Sequence, residues 1–178
     1  MKDLVFQIAS SHDHAELFKL INSAYRDQHV GSWTNEAMLV EGLRITEEAL
    51  FNLILGSQQL ESSEILYVAR DENHSIVGCI ALTVSDCAGE IWTFAVNLHL
   101  QNCGYGKRLL EFIENRVESN YSHLDFIRMW VLSQRVELIH FYQRRGYEIT
   151  TKTDSYPVDS GVGQPIQEVH LVEMLKQI

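Results

Sequence analysis

Apolar residues recur along this chain with two different periods, and the switches between them outline its elements. Near the amino end "LVFQIAS" (4–10) reads as a first strand. Ala15, Leu17, Phe18, Leu20, Ile21 and Ala24 then follow at helical spacing, with Ser11 or Asp13 available as the cap. A second helical region is predicted after Thr34. A third, "EEALFNLIL", opens at Thr46, where Glu47 and Glu48 suit the positive end of a helix dipole, and is predicted to end at Gly56. Three strand candidates come next, "EILYVAR", "SIVGCIALTVS" and "EIWTFAVNL". The turn-rich separators "DENHS" and "DCAGE" predict consecutive hairpins. A glycine loop then leads into the helical stretch "LLEFIENRVESN", the strand "DFIRMWVL", and the helix "RVELIHFYQRR" closed by Gly146. Two last strands, "YEITTKT" and "EVHLVEML", are joined by "DSYPVDSGVGQP".

This order predicts a mixed α/β (α+β) layout, an antiparallel meander followed by a strand–loop–helix–strand unit. "EIWTFAVNL" and "DFIRMWVL", joined through a helix, should lie parallel and adjacent. Ligands favour the carboxyl ends of such strands, where the first of the two delivers the glycine loop.

Composition narrows the class. A chain of 178 residues with 46% hydrophobic and 21% charged positions fits one globular domain, 1–178, without internal repeat or linker. The longest apolar runs, such as "IVGCIALTV", are too short to span a bilayer, and "MKDLVFQIAS" lacks a signal peptide's apolar segment. Cys79, Cys87 and Cys103 show neither paired nor metal-ligand spacing, and the histidines show none either. Reduced thiols, a cytoplasmic location and no metal are therefore expected. The net charge of −10 and the lack of a basic stripe argue against nucleic-acid binding and suit a cationic or neutral substrate. No membrane partner is expected, and a homodimer is compatible with these numbers.

The stretch "QNCGYGKR" (101–108) carries the first chemical signal. A P-loop is excluded because Gly104 lies only three residues before Lys107 and Arg108 stands where a hydroxyl is required. A dinucleotide fingerprint fails at Leu109, which takes the third glycine's position. What remains is Q-x-x-G-x-G opening a helix, whose backbone N–H groups and dipole would hold a pyrophosphate, with Lys107 and Arg108 adding charge at the rim. The competing reading is a flexible turn whose glycines only let the chain reverse. For Cys103, packing or a bystander position is the expectation.

Two blocks together, "FAVNLHLQNCGYGKRLLEFIE" and "RVELIHFYQRRGYE", resemble the GNAT superfamily of N-acetyltransferases. Val96, Gln101, Gly104 and Gly106 match its acetyl-coenzyme A motif. Phe141, Tyr142, Gly146 and Tyr147 match the end of its following helix. The resemblance covers essentially the whole chain. It implies a GNAT fold: a central mixed, mostly antiparallel sheet of six to seven strands flanked by helices, with the pyrophosphate loop after the fourth strand. It implies acetyl-coenzyme A as co-substrate, held by the backbone of Phe94, Ala95 and Val96 and by the loop residues Gln101, Asn102, Cys103, Gly104, Tyr105, Gly106 and Lys107. Tyr142 matches the family's general acid, which protonates the departing thiolate; the alternative is a hydroxyl that only orients the sulfur. One departure stands out. Arg135 occupies the place where many members carry an asparagine that holds the pantetheine arm, so it could reach a phosphate or the acceptor instead.

Acetyl transfer to an amine also needs a base, because an alkylammonium near pKa 10 is not nucleophilic at neutral pH. Glu90 is the leading candidate. Period-two alternation would put Glu90, Trp92, Phe94 and Val96 on one face, where partial desolvation would raise the carboxyl's pKa. The alternative is a solvent-exposed glutamate at a strand start. Glu168, His170 and Glu173 on the last strand are weaker candidates. Tyr25, Trp33, Arg44, Tyr156 and Pro157 should shape the acceptor groove. The reading is transfer to a primary amine, favouring a small molecule, directly within a ternary complex. A protein or peptide acetyltransferase and a non-catalytic acetyl-coenzyme A sensor are the alternatives.

Overall fold

The computed structural model describes residues 3–27, 35–85 and 87–178. Among these described residues, nine strands and four helices follow in the order β1 (Val5–Ile8), α1 (His14–Arg26), β2 (Val40–Glu41), α2 (Glu47–Ser57), β3 (Glu64–Arg70), β4 (Ile76–Val84), β5 (Ala88–Val96), α3 (Tyr105–Asn120), β6 (Phe126–Leu132), α4 (Val136–Gln143), β7 (Glu148–Ser155), β8 (Gln164–Pro165) and β9 (His170–Gln177). Short 3-10 turns precede α1 and α3 and follow β7.

Seven strands form one sheet in the order β1-β3-β4-β5-β6-β9-β7. Every neighbouring pair is antiparallel except β5–β6, as the helical crossover between them requires. β4, "IVGCIALTV", reads as an unbroken apolar run because helices cover both its faces. On one face α1 and α2 bury Leu17, Leu20, Ile21, Leu50, Leu53 and Ile54 against Leu66, Val68, Cys79 and Ala81. On the other, α3 buries Leu109, Leu110, Ile113 and Val117 against Tyr67, Ile80, Leu82 and Ile127. α3 lies close on β4 because Gly78 carries no side chain; a Cβ there would stand 2.6 Å from Leu109 Cδ1 and 2.7 Å from the Ala95 carbonyl oxygen. The hydroxyl of Tyr147 donates to Glu114 Oε1 at 2.9 Å, and Lys176 Nζ pairs with Glu114 Oε2 at 2.9 Å, so a buried polar contact joins α3 to the end of the sheet.

Several local expectations need correction. The segment after Thr34 is not helical where it is described: residues 37–39 form a turn and β2 follows, pairing with β8. Ala15 is exposed and Phe18 only half-buried. Ser11 lies inside the 3-10 turn, and Asp13, at the head of α1, accepts from the Ser10 N–H (2.8 Å) and hydroxyl (3.0 Å) and pairs with Arg70. Thr46 does cap α2, accepting from the Ala49 N–H at 3.1 Å, but α2 runs through Gly56 to Ser57, since Gly56 keeps ordinary helical backbone. No helix among the described residues is long and apolar enough to cross a membrane.

Candidate active site

The sheet opens where β5 meets β6. Parallel pairing runs Ala88↔Phe126, Gly89↔Ile127, Glu90↔Arg128 and stops there, so residues 91–96 have no ladder partner on β6. On its other side β5 carries a bulge. Its register with β4 moves between Cys79↔Ala95 and Ala81↔Trp92, adding one residue to β5, and Thr93 takes φ +43°. The extra residue overturns the expected grouping of Glu90, Trp92, Phe94 and Val96. Trp92 packs with the α1–α2 face, where its indole N–H donates to Thr83 Oγ1 at 2.9 Å, whereas Phe94 and Val96 pack with the α3 face. A one-residue slip moves every later side chain to the opposite face.

A cavity of about 280 Å³ lies on the α3 side, lined by Phe94, Val96, Gln101, Asn102, Gly104, Gly106, Lys107, Leu138, Phe141, Tyr142 and Arg145. Gly104 heads the 16-residue α3 at φ +82°, with open space where a Cβ would stand. Asn102 is also left-handed, at φ 64°. This αL turn directs backbone N–H groups of the first helical turn outward at the positive end of the dipole. Lys107 (paired with Glu111 at 3.3 Å) and Arg145 supply charge at the rim. The Arg145 guanidinium lies 3.5 Å from the Phe141 ring centroid and donates to the Phe141 carbonyl at 2.7 Å. Cys103 is exposed, and Tyr105 packs partly into the core.

A second cavity, of about 360 Å³, lies across the gap and includes Tyr25, Glu36, Arg44, Glu90, Trp92, Trp130, Asp154 and Tyr156 in its wall. Phe94, Leu138 and Tyr142 line both cavities. The roof is tied together by Arg26 at the end of α1. Its side chain bonds the Gly42 carbonyl (2.9 Å), Glu36 (2.8 Å) and the Val162 carbonyl (2.7 Å), while the Tyr156 hydroxyl also donates to Val162 (2.7 Å). Pro157 belongs to this wall as well. Trp33 lies outside the described residues.

Tyr142 is 6% exposed at the junction. Burial pushes its phenol well above the usual tyrosine range; Tyr25 adds to this, and the Arg135 and Arg145 charges oppose it. The hydroxyl therefore remains protonated at any neutral pH. Arg135 is buried before α4, its charge acting on the Tyr142 and Tyr25 hydroxyls, and it is not among the residues lining the loop-side cavity. Tyr25, pushed up to about 12 mainly by burial, donates its hydroxyl to the Phe94 carbonyl at 3.1 Å.

Of the predicted base candidates, only Glu90 reaches the wall of the second cavity. It is not held by aromatic rings alone: its Oε2 accepts from Arg128 Nε at 2.9 Å. Arg128 also faces Glu173 at 3.9 Å, and buried Glu173 accepts from the Thr150 hydroxyl at 2.7 Å and pairs with Lys152 at 3.6 Å. Glu168 and His170 pair with each other at 3.3 Å with largely exposed side chains. Glu36 and Asp154 are carboxylates of the wall that sequence reasoning missed. Glu36 follows a stretch without periodicity, and Asp154 sits where β7 runs into a loop. Among the described residues no group of acidic, histidine and cysteine side chains is arranged to hold a metal.

The split sheet thus carries a glycine-headed helix on one side and an acidic, aromatic cavity on the other. Residues 62–149, just under half of the chain, match the family model of the acetyltransferase (GNAT) domain. A curated relative, the uncharacterized protein YdhI of Bacillus subtilis, is 30% identical over 82 residues; the match covers 46% of this chain and about half (49%) of that protein's length. An acetyltransferase of the GNAT family from Streptococcus pneumoniae superposes with a TM-score of 0.69 at 18% identity, over 99% of this chain and 100% of that one. A GNAT family acetyltransferase from Elizabethkingia anophelis with acetyl-CoA bound superposes with a TM-score of 0.57 at 22% identity, over 71% and 88% of the two chains. At these identities the two structures speak for the fold.

Proposed function

We propose that the protein moves the acetyl group of acetyl-coenzyme A to the primary amine of a small, cationic molecule, by direct attack within a ternary complex. The observation that carries this reading is the meeting of two cavities at Phe94, Leu138 and Tyr142. The loop-side cavity suits the coenzyme: backbone N–H groups before α3 for the pyrophosphate, Lys107 and Arg145 for phosphate charge, and the apolar walls of Val96, Leu138 and Phe141 for the pantetheine arm. The other cavity offers Glu36, Glu90 and Asp154 among aromatic rings, which suits an alkylammonium.

The chain's own groups then divide the work. The thioester supplies an activated acetyl carbon. Glu90 accepts a proton from the bound ammonium, directly or through water, so that the free amine attacks. Backbone N–H groups of the unpaired part of β5 face the developing oxyanion. As the C–S bond breaks, Tyr142 gives its proton to the departing sulfur, and the second proton lost by the acylated nitrogen returns through water to the tyrosinate. No cysteine lines either cavity among the described residues, and the buried Cys79 thiol is pushed up to about 12 by burial. Both observations favour direct transfer over an acyl-cysteine relay. A screen of amines, polyamines, amino acids and peptides, read by free-thiol release from acetyl-coenzyme A, tests the reading. The expected result is amine-dependent release with a small cationic acceptor. Release with peptides only would favour protein acetylation, and tight coenzyme binding without transfer to any acceptor would favour a sensor.

A further inference from the structure

The bulge in β5 is laddered on one side only, to β4. Thr93, β-branched and 1% exposed, sits at φ +43°, a region such residues rarely adopt unless their surroundings impose it. The parallel ladder to β6 has already ended at Glu90, so neighbouring backbone groups depend on other partners. Among the described residues, the side chains of Cys79 and Tyr25 reach carbonyls of the bulge. One is weak: Cys79 Sγ lies 3.8 Å from the Thr93 oxygen. The other is the Tyr25 hydroxyl, 3.1 Å from the Phe94 oxygen.

We infer that Tyr25 is a positioning residue of the reaction centre: by donating to the Phe94 carbonyl, it holds the bulged strand in the shape that keeps the gap beside β6 open to the coenzyme arm. Phe94 is the right place for such a tie, because its residue borders both cavities. Tyr25 is itself held from three sides. α1 packs on the sheet, the Arg44 guanidinium stands 5.0 Å from its ring centroid, and its carbonyl accepts from the Glu36 N–H at 2.8 Å. A rigid donor on a helix thereby fixes one peptide plane of a strand that has left its β6 neighbour. Without the hydroxyl, the Phe94 peptide is free to rotate towards regular strand geometry, which realigns the Ala95 and Val96 backbone that follows. The effect should therefore fall on coenzyme binding and turnover rather than on capture of the acceptor.

The inference rests on the acetyl-coenzyme A reading, and Tyr25→Phe tests it. The substitution removes one oxygen and keeps the ring beneath Arg44. Calorimetric titration with acetyl-coenzyme A should show Kd weakened about 5- to 10-fold, and steady-state kinetics should show kcat lowered about 10-fold, the scale of one lost hydrogen bond at a strained site. The acceptor KM should stay within about 2-fold. Amide exchange at Ala95 and Val96 in the free protein should accelerate, which a tyrosine acting only on the acceptor would not cause. Unchanged Kd, kcat and exchange would overturn the inference, as would a rise confined to the acceptor KM. A wild-type chain that bound no acetyl-coenzyme A would overturn the functional reading beneath it, an outcome read before any substitution is made.

Discussion

Replacing Tyr142 by phenylalanine isolates a single oxygen at the point where the two cavities meet. The ring contacts survive the change: Phe141 lies 5.3 Å away centroid to centroid and Tyr147 5.7 Å, both edge to face. Because shape is conserved, stability should move by no more than about 1 kcal/mol. The wall of the loop-side cavity is otherwise intact, so affinity for acetyl-coenzyme A should hold within about 2-fold. Turnover should not hold. A positioned general acid contributes about 10²–10⁴-fold, equivalent to about 3–5 kcal/mol of barrier, and all of that resides in the missing hydroxyl. The raised pKa fixes the accompanying pH behaviour. A phenol pushed upward by burial stays protonated through the neutral range, so Tyr142 should contribute no limb to the rate profile below about pH 10, and the variant's profile should keep the wild-type shape at lower height. Steady-state thiol release, paired with calorimetric titration of the coenzyme, measures both quantities. Wild-type kcat in a folded Tyr142→Phe protein would refute the acid role. A lost coenzyme affinity would reassign the hydroxyl to positioning the sulfur.

Further predictions follow from the loop, the base and the buried phenols. Gly104→Val forces a β-branched residue to φ +82° and fills the open space before α3, so the rise in melting temperature caused by acetyl-coenzyme A should largely vanish; an undiminished rise would remove the loop from the binding site. Glu90→Gln should lower kcat with coenzyme affinity unchanged, and the loss should shrink at high pH, where free amine is abundant; equal impairment at every pH would indicate acceptor binding instead. Burial raises the Tyr25, Tyr142 and Tyr147 phenols and the Cys79 thiol above their unfolded values. The native state then binds more protons once the unfolded chain ionises. Stability is complete below about pH 8.5 and falls through about pH 9–12, by up to about 1.4 kcal/mol per pH unit for each group. A melting temperature flat between pH 8 and 11, on the scale of those values, would contradict this burial.

The elements read most clearly from the sequence are those fixed by local chemistry. Helix α3 announces itself through Gly104 and Gly106 followed by Leu109, Leu110, Ile113 and Val117, because the loop conformation and the apolar stripe are both short-range properties. The parallel β5–β6 pair was legible for a similar reason, since a helical crossover leaves little topological choice. Glu36 was not legible. It reaches the cavity only because Arg26, ten positions earlier, joins it to a loop more than a hundred residues later. Nor does anything near Thr34 reveal that the chain turns into a two-residue strand, because its partner β8 is equally distant in sequence. The partner of Glu90 was hidden in the same way: Arg128 becomes its neighbour only through the sheet register, which adds an ion pair to the expected aromatic surroundings.

The bulge was invisible for a different reason, and it explains how one strand can serve two reactants. In "EIWTFAV" no glycine marks the irregularity, since Thr93 itself takes the positive φ. With strict alternation Trp92 and Phe94 would share a face, and the strand would present its aromatic rings to one side of the sheet only. One added residue keeps Trp92 and Ala95 on the α1 face and puts Phe94 and Val96 on the α3 face. β6 has left the ladder by then, so the backbone between the two groups of side chains is open on that edge. Under the proposed reading, the two substrates would approach from opposite faces and meet across a single strand. The arrangement carries backbone strain at Thr93, which neighbouring groups must hold in place, and the contacts that do so belong to α1 and β4 rather than to either cavity's ligand.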